Sequence, residues 1–251
     1  MIDQPLFHYA LRLGDDSLIL GQRLSEWCGH AAALEVDLSL TNIGLDLIGQ
    51  ATSALGYAGD LEGAGRDADG LAFHRDALDY ENCLLVEQPN GDFGQTIARQ
   101  FLFSNWHWLF LSALAASKDA TLAAMAAKSV KEVSYHVEFA NDWMVRLGDG
   151  TPESHQRLSA GLDWNWRFVE ELFIGDDVDN EMVQRGIGVD KASLRAAYDA
   201  RIIDVLNDAN LPVPKKHRAI TGGRRGHHSE HLGHLLSQMQ FLQRAYPGAS
   251  W

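Results

Sequence analysis

Apolar residues recur at steps of three and four along most of the chain, the period of a helix with one buried face. Leu6, Ala10, Leu13, Ser17, Leu20, Leu24 and Trp27 form a small or apolar stripe that predicts a long helix from about Gln4 to Cys28. The next segment, Ala33 to about Tyr57, carries Leu34, Leu38, Leu45 and Ile48 on one face and Leu40, Ile43, Leu47 and Ala51 on another. A helix so apolar all round belongs in an interior, not on a surface. Between Gly59 and Asn90 the pattern weakens to one shorter helix near Leu71 to Tyr80, followed by the turn signal Pro89-Asn90-Gly91.

Asp92 is placed to cap a third long helix, to about Ser117, and Asp119 a fourth that ends at Leu147-Gly148-Asp149-Gly150. Thr151-Pro152, an N-cap followed by proline at the first helical position, opens a helix to about Phe173. Further helices are predicted from Asp190 to about Asn207 and from Ser229 to Ala245. No run alternates as a strand would, and no short repeat of the solenoid kind is present. Two helical hairpins, Gln4 to Tyr57 and Asp92 to Leu147, therefore predict an all-α bundle, a single domain over residues 1–251.

Composition narrows the function classes. Of the 251 residues 46% are hydrophobic, enough for a real core. Lys and Arg total 21 against 34 Asp and Glu, a net charge of -13 that disfavours nucleic acid and anionic lipid as partners. Cys28 and Cys83 are too few and too far apart for a disulfide framework or a metal motif, which fits reduced thiols in the cytosol. The opening Met1-Ile2-Asp3-Gln4 shows no secretion signal. The most apolar stretch, Trp106 to Ala116, is interrupted by His107 and Ser112 and falls short of the ~20 residues that cross a bilayer. A soluble, cytoplasmic protein is expected.

Bundles of this kind build di-iron sites from a Glu on each of two helices and Glu-x-x-His on each of two others. Glu-x-x-His is absent here; Glu-x-x-x-His occurs instead, at Glu26/His30, Glu132/His136 and Glu230/His234. Six matched ligands cannot be assembled. Asn42, Asp46, Glu132 and His136 fall on the two helices expected at the centre, and burying such groups requires that they pair with one another. They are expected to form a hydrogen-bonded cluster where a metal would lie, with solvent exposure of some members as the alternative.

Two other features bear on chemistry. The tail Gly226-His227-His228-Ser229-Glu230-His231-Leu232-Gly233-His234 offers imidazoles on shared faces, or simply a helix start capped by Ser229. Lys215, Lys216, Arg218, Arg224 and Arg225 crowd a Gly- and Pro-marked loop with no acid, a solvated loop or a docking surface for an acidic partner or substrate phosphates. Thr221-Gly222-Gly223-Arg224 lacks the spacing and lysine of a P-loop. Trp106, Trp108 and Phe110 occupy different helix faces, as core and interface residues would.

The runs Leu24-Ser25-Glu26-Trp27-Cys28-Gly29-His30 and Asn42-Ile43-Gly44-Leu45-Asp46-Leu47 resemble the C-subunit family of bacterial ring-1,2-phenylacetyl-CoA epoxidases. So do Val86-Glu87-Gln88-Pro89-Asn90-Gly91-Asp92-Phe93, Lys131-Glu132-Val133-Ser134-Tyr135-His136 and Glu230-His231-Leu232-Gly233. The resemblance implies a ferritin-like four-helix bundle core with additional C-terminal helices. It also implies a non-catalytic, structural role in a multicomponent monooxygenase of aerobic phenylacetate degradation, acting on phenylacetyl-CoA. In such complexes the A subunit holds the di-iron centre, and a reductase subunit with flavin and an iron–sulfur cluster brings electrons from NADPH. Val133 stands where the catalytic relative has a ligand glutamate, and Ile43 and Asp46 where Glu and His would lie. Lys215, Lys216, Arg224 and Arg225 are the candidate substrate- or partner-binding residues. The rival reading is a stand-alone ferritin-like metal-binding oxidase or storage bundle.

Overall fold

Eleven α-helices and no strand occur among the residues that the computed structural model describes, 3–215 and 218–249. In chain order they are α1 (Gln4–Ser25), α2 (Leu34–Glu62), α3 (Ala68–Phe73), α4 (Leu84–Glu87), α5 (Phe93–Leu114) and α6 (Ala120–Gly148). Then follow α7 (Pro152–Trp166), α8 (Asp177–Gln184), α9 (Arg195–Asp208), α10 (Glu230–Met239) and α11 (Phe241–Ala245). The fold is all-α, and its two long hairpins, α1 with α2 and α5 with α6, are those expected of the ferritin-like class. No described helix is long and apolar enough to cross a membrane. The chain gathers into two compact units, Met1–Glu87 with Gly222–Trp251, and Gln88–Thr221.

In the first unit, the side chain of Asp3 accepts from the Leu6 amide at 3.4 Å and Pro5 pre-sets the first turn of α1. The stripe read from sequence is the packed one: Leu6, Ala10, Ser17, Leu20 and Leu24 are buried. Each leucine fully buried in this way contributes about 1.5–3 kcal/mol. The pairing with α2 is close because glycines face each other. A Cβ on Gly21 would sit 3.2 Å from the Gly44 carbonyl oxygen and 3.1 Å from Ile48 Cδ1. α2 runs past the predicted Tyr57 to Glu62, where Gly63, at φ +68°, supplies the left-handed cap. Its two apolar faces part company. Leu40, Ile43, Leu47 and Ala51 are buried, whereas Leu34, Leu38 and Leu45 are exposed, which corrects the expectation of a helix buried all round.

The predicted helix over 71–80 is instead α3 plus a 3₁₀ turn at Ala77–Asp79. Arg75 explains the break: its guanidinium donates to the Leu71 and Asp79 carbonyl oxygens, satisfying acceptors that a continuing helix would have used. The predicted helix over 229–245 breaks similarly at Gln240. Its amide nitrogen donates to the carbonyls of Ala72 and Arg75 at 3.0 Å each, tying the C-terminal segment to α3.

In the second unit three caps are those read from sequence. Asp92 accepts from the Gln95 amide and Asp119 from the Leu122 amide, both at 2.9 Å, and Thr151 from Ser154 at 3.1 Å. The helix from Thr151 ends at Trp166 and gives way to a 3₁₀ turn, Val169–Phe173. α8, with Asp176 as its cap, has too short an apolar period to have been read beforehand. Trp106 and Phe110, four positions apart and so on one face, stack in the interior at 5.0 Å, which corrects their assignment to different faces, while Trp108 is half-buried and donates to Ser134 Oγ at 3.1 Å.

Candidate functional site

The four residues expected to replace a metal site lie two in each unit. On α2, Asn42 is exposed and Asp46 half-buried, so the burial expected of both fails for Asn42. On α6, His136 is buried, and Glu132 is half-buried with its carboxylate 3.7 Å from Lys128 Nζ, one helical turn away. Val133, between them, is fully buried. The second unit also holds a histidine that the motif search passed over. His107 on α5 is buried beside the Phe103 ring, 5.0 Å between centroids. Burial, with a smaller repulsion from His136, pushes its imidazole pKa down to about 3. It is neutral at pH 7 and cannot serve as a proton donor of ordinary strength. Among the described residues no three His, Cys, Asp or Glu side chains gather as a metal site would need, so the donor set does not fit a di-iron group.

The first unit contains a dense polar network instead, built on the adjacent Asp15 and Asp16 of α1. Asp15 is fully buried, paired on both oxygens with Arg75, and accepts from the Glu81 amide at 2.8 Å. Burial pushes its pKa up against the pull of the arginine. Asp16 accepts from the Cys83 amide at 2.7 Å and from Arg224 Nη2 at 2.6 Å. Arg224 also donates to the Glu81 carbonyl at 2.8 Å. Glu81 accepts from Arg12 Nε at 2.8 Å and bonds to His8 Nδ1. These bonds, with the charges of His8 and Arg12, hold the Glu81 carboxyl below its usual value although burial opposes this.

Glu87 closes the network. Its carboxylate accepts from Asn82 Nδ2 at 2.9 Å and from the Ser229 amide at 2.6 Å, and meets His228 Nδ1 at 2.7 Å. His228 Nε2 lies 2.8 Å from the Tyr80 carbonyl oxygen. Both partners of the ring are acceptors, so the doubly protonated imidazolium satisfies them best. Burial alone would lower the His228 pKa, but the hydrogen bond and charge of Glu87 with the Tyr80 carbonyl outweigh it, and the pKa is raised.

The profile of the family described as phenylacetic acid catabolic protein matches residues 1–251. The chain belongs to this family. A curated relative, the C subunit of 1,2-phenylacetyl-CoA epoxidase from Escherichia coli (strain K12), is 50% identical over 243 residues, covering 97% of this chain and 98% of that protein.

For this member of the phenylacetic acid catabolic family, the polar groups in the first unit act as a clasp. Asp15, Asp16, Glu81 and Glu87 all receive cations or N–H groups, which leaves them poorly suited to acid–base work. The basic loop is divided in its tasks. Arg224 is bound internally to Asp16, a correction to its expected outward role, whereas Arg225 and Lys215 are exposed and Lys216 lies outside the described residues. The tail histidines divide likewise: His228 is held on both nitrogens, and His227 and His234 are exposed. Ser229 occupies the N-cap position of α10 without a side-chain capping bond. No local motif marks the clasp, because all of its pairs but Asn82 with Glu87 join residues about 60 to 210 positions apart, as in Asp15 with Arg75 and Asp16 with Arg224.

The clasp has a pH signature. With a raised folded pKa, the contribution of His228 is complete below its unfolded value of about 6.5 and disappears as pH rises through the folded value. His228→Ala is expected to reduce stability by about 1–3 kcal/mol at pH 6 through the unsatisfied groups it leaves. Urea denaturation of both proteins at pH 6 and pH 9 checks this; a gap that does not shrink at pH 9 refutes the imidazolium assignment.

Proposed function

We propose that the chain is the non-catalytic structural subunit of a multicomponent monooxygenase that epoxidises the ring of phenylacetyl-CoA in aerobic phenylacetate degradation. The observation that carries this is the 50% identity, over nearly the whole of both chains, to the C subunit of the Escherichia coli epoxidase. The lack of any Glu-x-x-His in the sequence supports a supporting role, because the di-iron ligand pattern requires that spacing on two helices. Asn42, Asp46, Glu132 and His136 are read as relics of ligand positions. The stand-alone oxidase or storage bundle is not favoured.

In this reading the di-iron centre resides in an A subunit, and flavin and iron–sulfur cluster in a reductase subunit, all in the cytoplasm. Lys215, Lys216 and Arg225 are read as the basic residues that meet an acidic partner surface or the phosphates of the CoA ester. Iron analysis after iron loading tests the reading, on the isolated chain and on the chain co-expressed with the A subunit. Iron is expected only in a co-purifying complex. About two irons in the isolated chain would overturn the proposal and make Glu132, His136 and the acids of α2 ligands.

A further inference from the structure

We infer that the outward face of α2 is the surface on which a second, non-identical helical subunit docks, one whose own contact face is apolar with a basic rim. This rests on the reading of the chain as part of a complex and adds which face carries the contact. Leu34, Leu38 and Leu45 are 71%, 55% and 64% exposed. At 100° per residue they lie within about 40° of one another, so they form one ridge. The same side continues with Gly49, Thr52 and Gly56, and at Gly49 and Gly56 a Cβ would meet no atom within 4 Å. Large residues thus give way to small ones, a shape that grips a crossing helix at one end and lets its backbone come close at the other.

A helix apolar on two opposed faces is expected in an interior, yet one of these faces meets solvent. Charge selects the occupant. Glu35, Asp37, Asp46, Asp60 and Glu62 are the charged residues of α2, and no Lys or Arg occurs between Arg23 and Arg66. A second copy would bring the same acids against these, which opposes a homodimer, whereas Lys or Arg at the partner's rim would complement them. Area points the same way. The face spans about 33 Å by roughly 10 Å, well below the ~800 Å² per partner of a stable interface. α2 is then the centre of a wider contact with a sizeable subunit.

The test is binding of purified chain to the A subunit of the proposed complex, by calorimetry or co-purification. Leu38→Glu/Leu45→Glu is expected to weaken binding at least about 100-fold, as for two central anchors, with helicity and thermal midpoint near wild type because both positions are exposed. Leu78→Glu, at an equally exposed leucine of the same unit, is expected to leave binding unchanged. If the glutamates disturb folding, Leu34→Ser/Leu45→Ser carries the same expectation. Wild-type affinity in these folded variants would overturn the assignment of α2 while leaving the proposed function intact. Failure of the wild type to bind the A subunit would sink the proposed function itself. A wild-type homodimer that the double variant disperses would overturn the choice of occupant.

Discussion

Arg75→Met is expected to lower stability by about 3–5 kcal/mol at pH 7, the range for removing one partner of a buried ion pair. Asp15 is fully buried and Arg75 nearly so, and the guanidinium bonds both carboxylate oxygens. Met fills similar space but leaves a negative charge inside with only the Glu81 amide beside it. Burial already pushes the Asp15 pKa up; without arginine it moves higher still, and the carboxyl takes up a proton in the folded state. A raised folded pKa means stability that is complete below the unfolded value, about 3.9, and is lost as pH rises through the folded one. The gap between wild type and Arg75→Met is therefore expected to narrow as pH falls from 7 toward 4. Asp15→Asn/Arg75→Met, which keeps an acceptor for the Glu81 amide, is expected to recover part of the loss. Urea denaturation of the three proteins across this pH range decides it. A double variant no more stable than the single one would mean that Arg75 acts mainly through the Leu71 and Asp79 carbonyls and its position 4.2 Å over the Tyr80 ring.

What was legible in the sequence was local. Helix periodicity and the caps at Asp92, Asp119 and Thr151 depend on residues a few positions apart, so both hairpins could be drawn. The missing Glu-x-x-His was equally local, as was the resemblance of short runs. What depends on distant partners was not legible. Arg224 read as surface charge because nothing near it in sequence is acidic, yet its carboxylate is Asp16, 208 positions away. The breaks at Arg75 and Gln240 arise from side chains donating to distant or terminal carbonyls, which periodicity cannot register. α2 was misjudged more usefully. Its second apolar face was read as buried in this chain, whereas the chain leaves it exposed, and hydrophobicity alone does not say whose atoms cover it.

The second large effect is expected in acid, and it belongs to His107. Its imidazole is buried against Phe103 and near His136, and the pKa is down at about 3 against about 6.5 for the free side chain. The unfolded chain therefore takes up a proton that the folded one refuses. A depressed folded pKa gives stability that is present above the unfolded value and is lost as pH falls toward the folded one. At about 1.4 kcal/mol per tenfold change in proton affinity, the full loss is on the order of 5 kcal/mol, most of a small domain's stability. Glu81 works in the same direction, but its window opens only below about 4.5, because its pKa is lowered from a carboxylate value. His228 has a raised pKa, so its contribution is already complete below about pH 6.5. Asp15, with its raised pKa, gains stability as pH falls and opposes the trend, so the decline between pH 6.5 and 4.5 is His107's own. His107→Leu, which keeps an apolar filling among the same rings, is expected to remove the fall in urea midpoints that wild type shows over that interval. Parallel curves for the two proteins would show that water or a rearranged helix lets His107 ionise in place, and would remove it as the acid trigger.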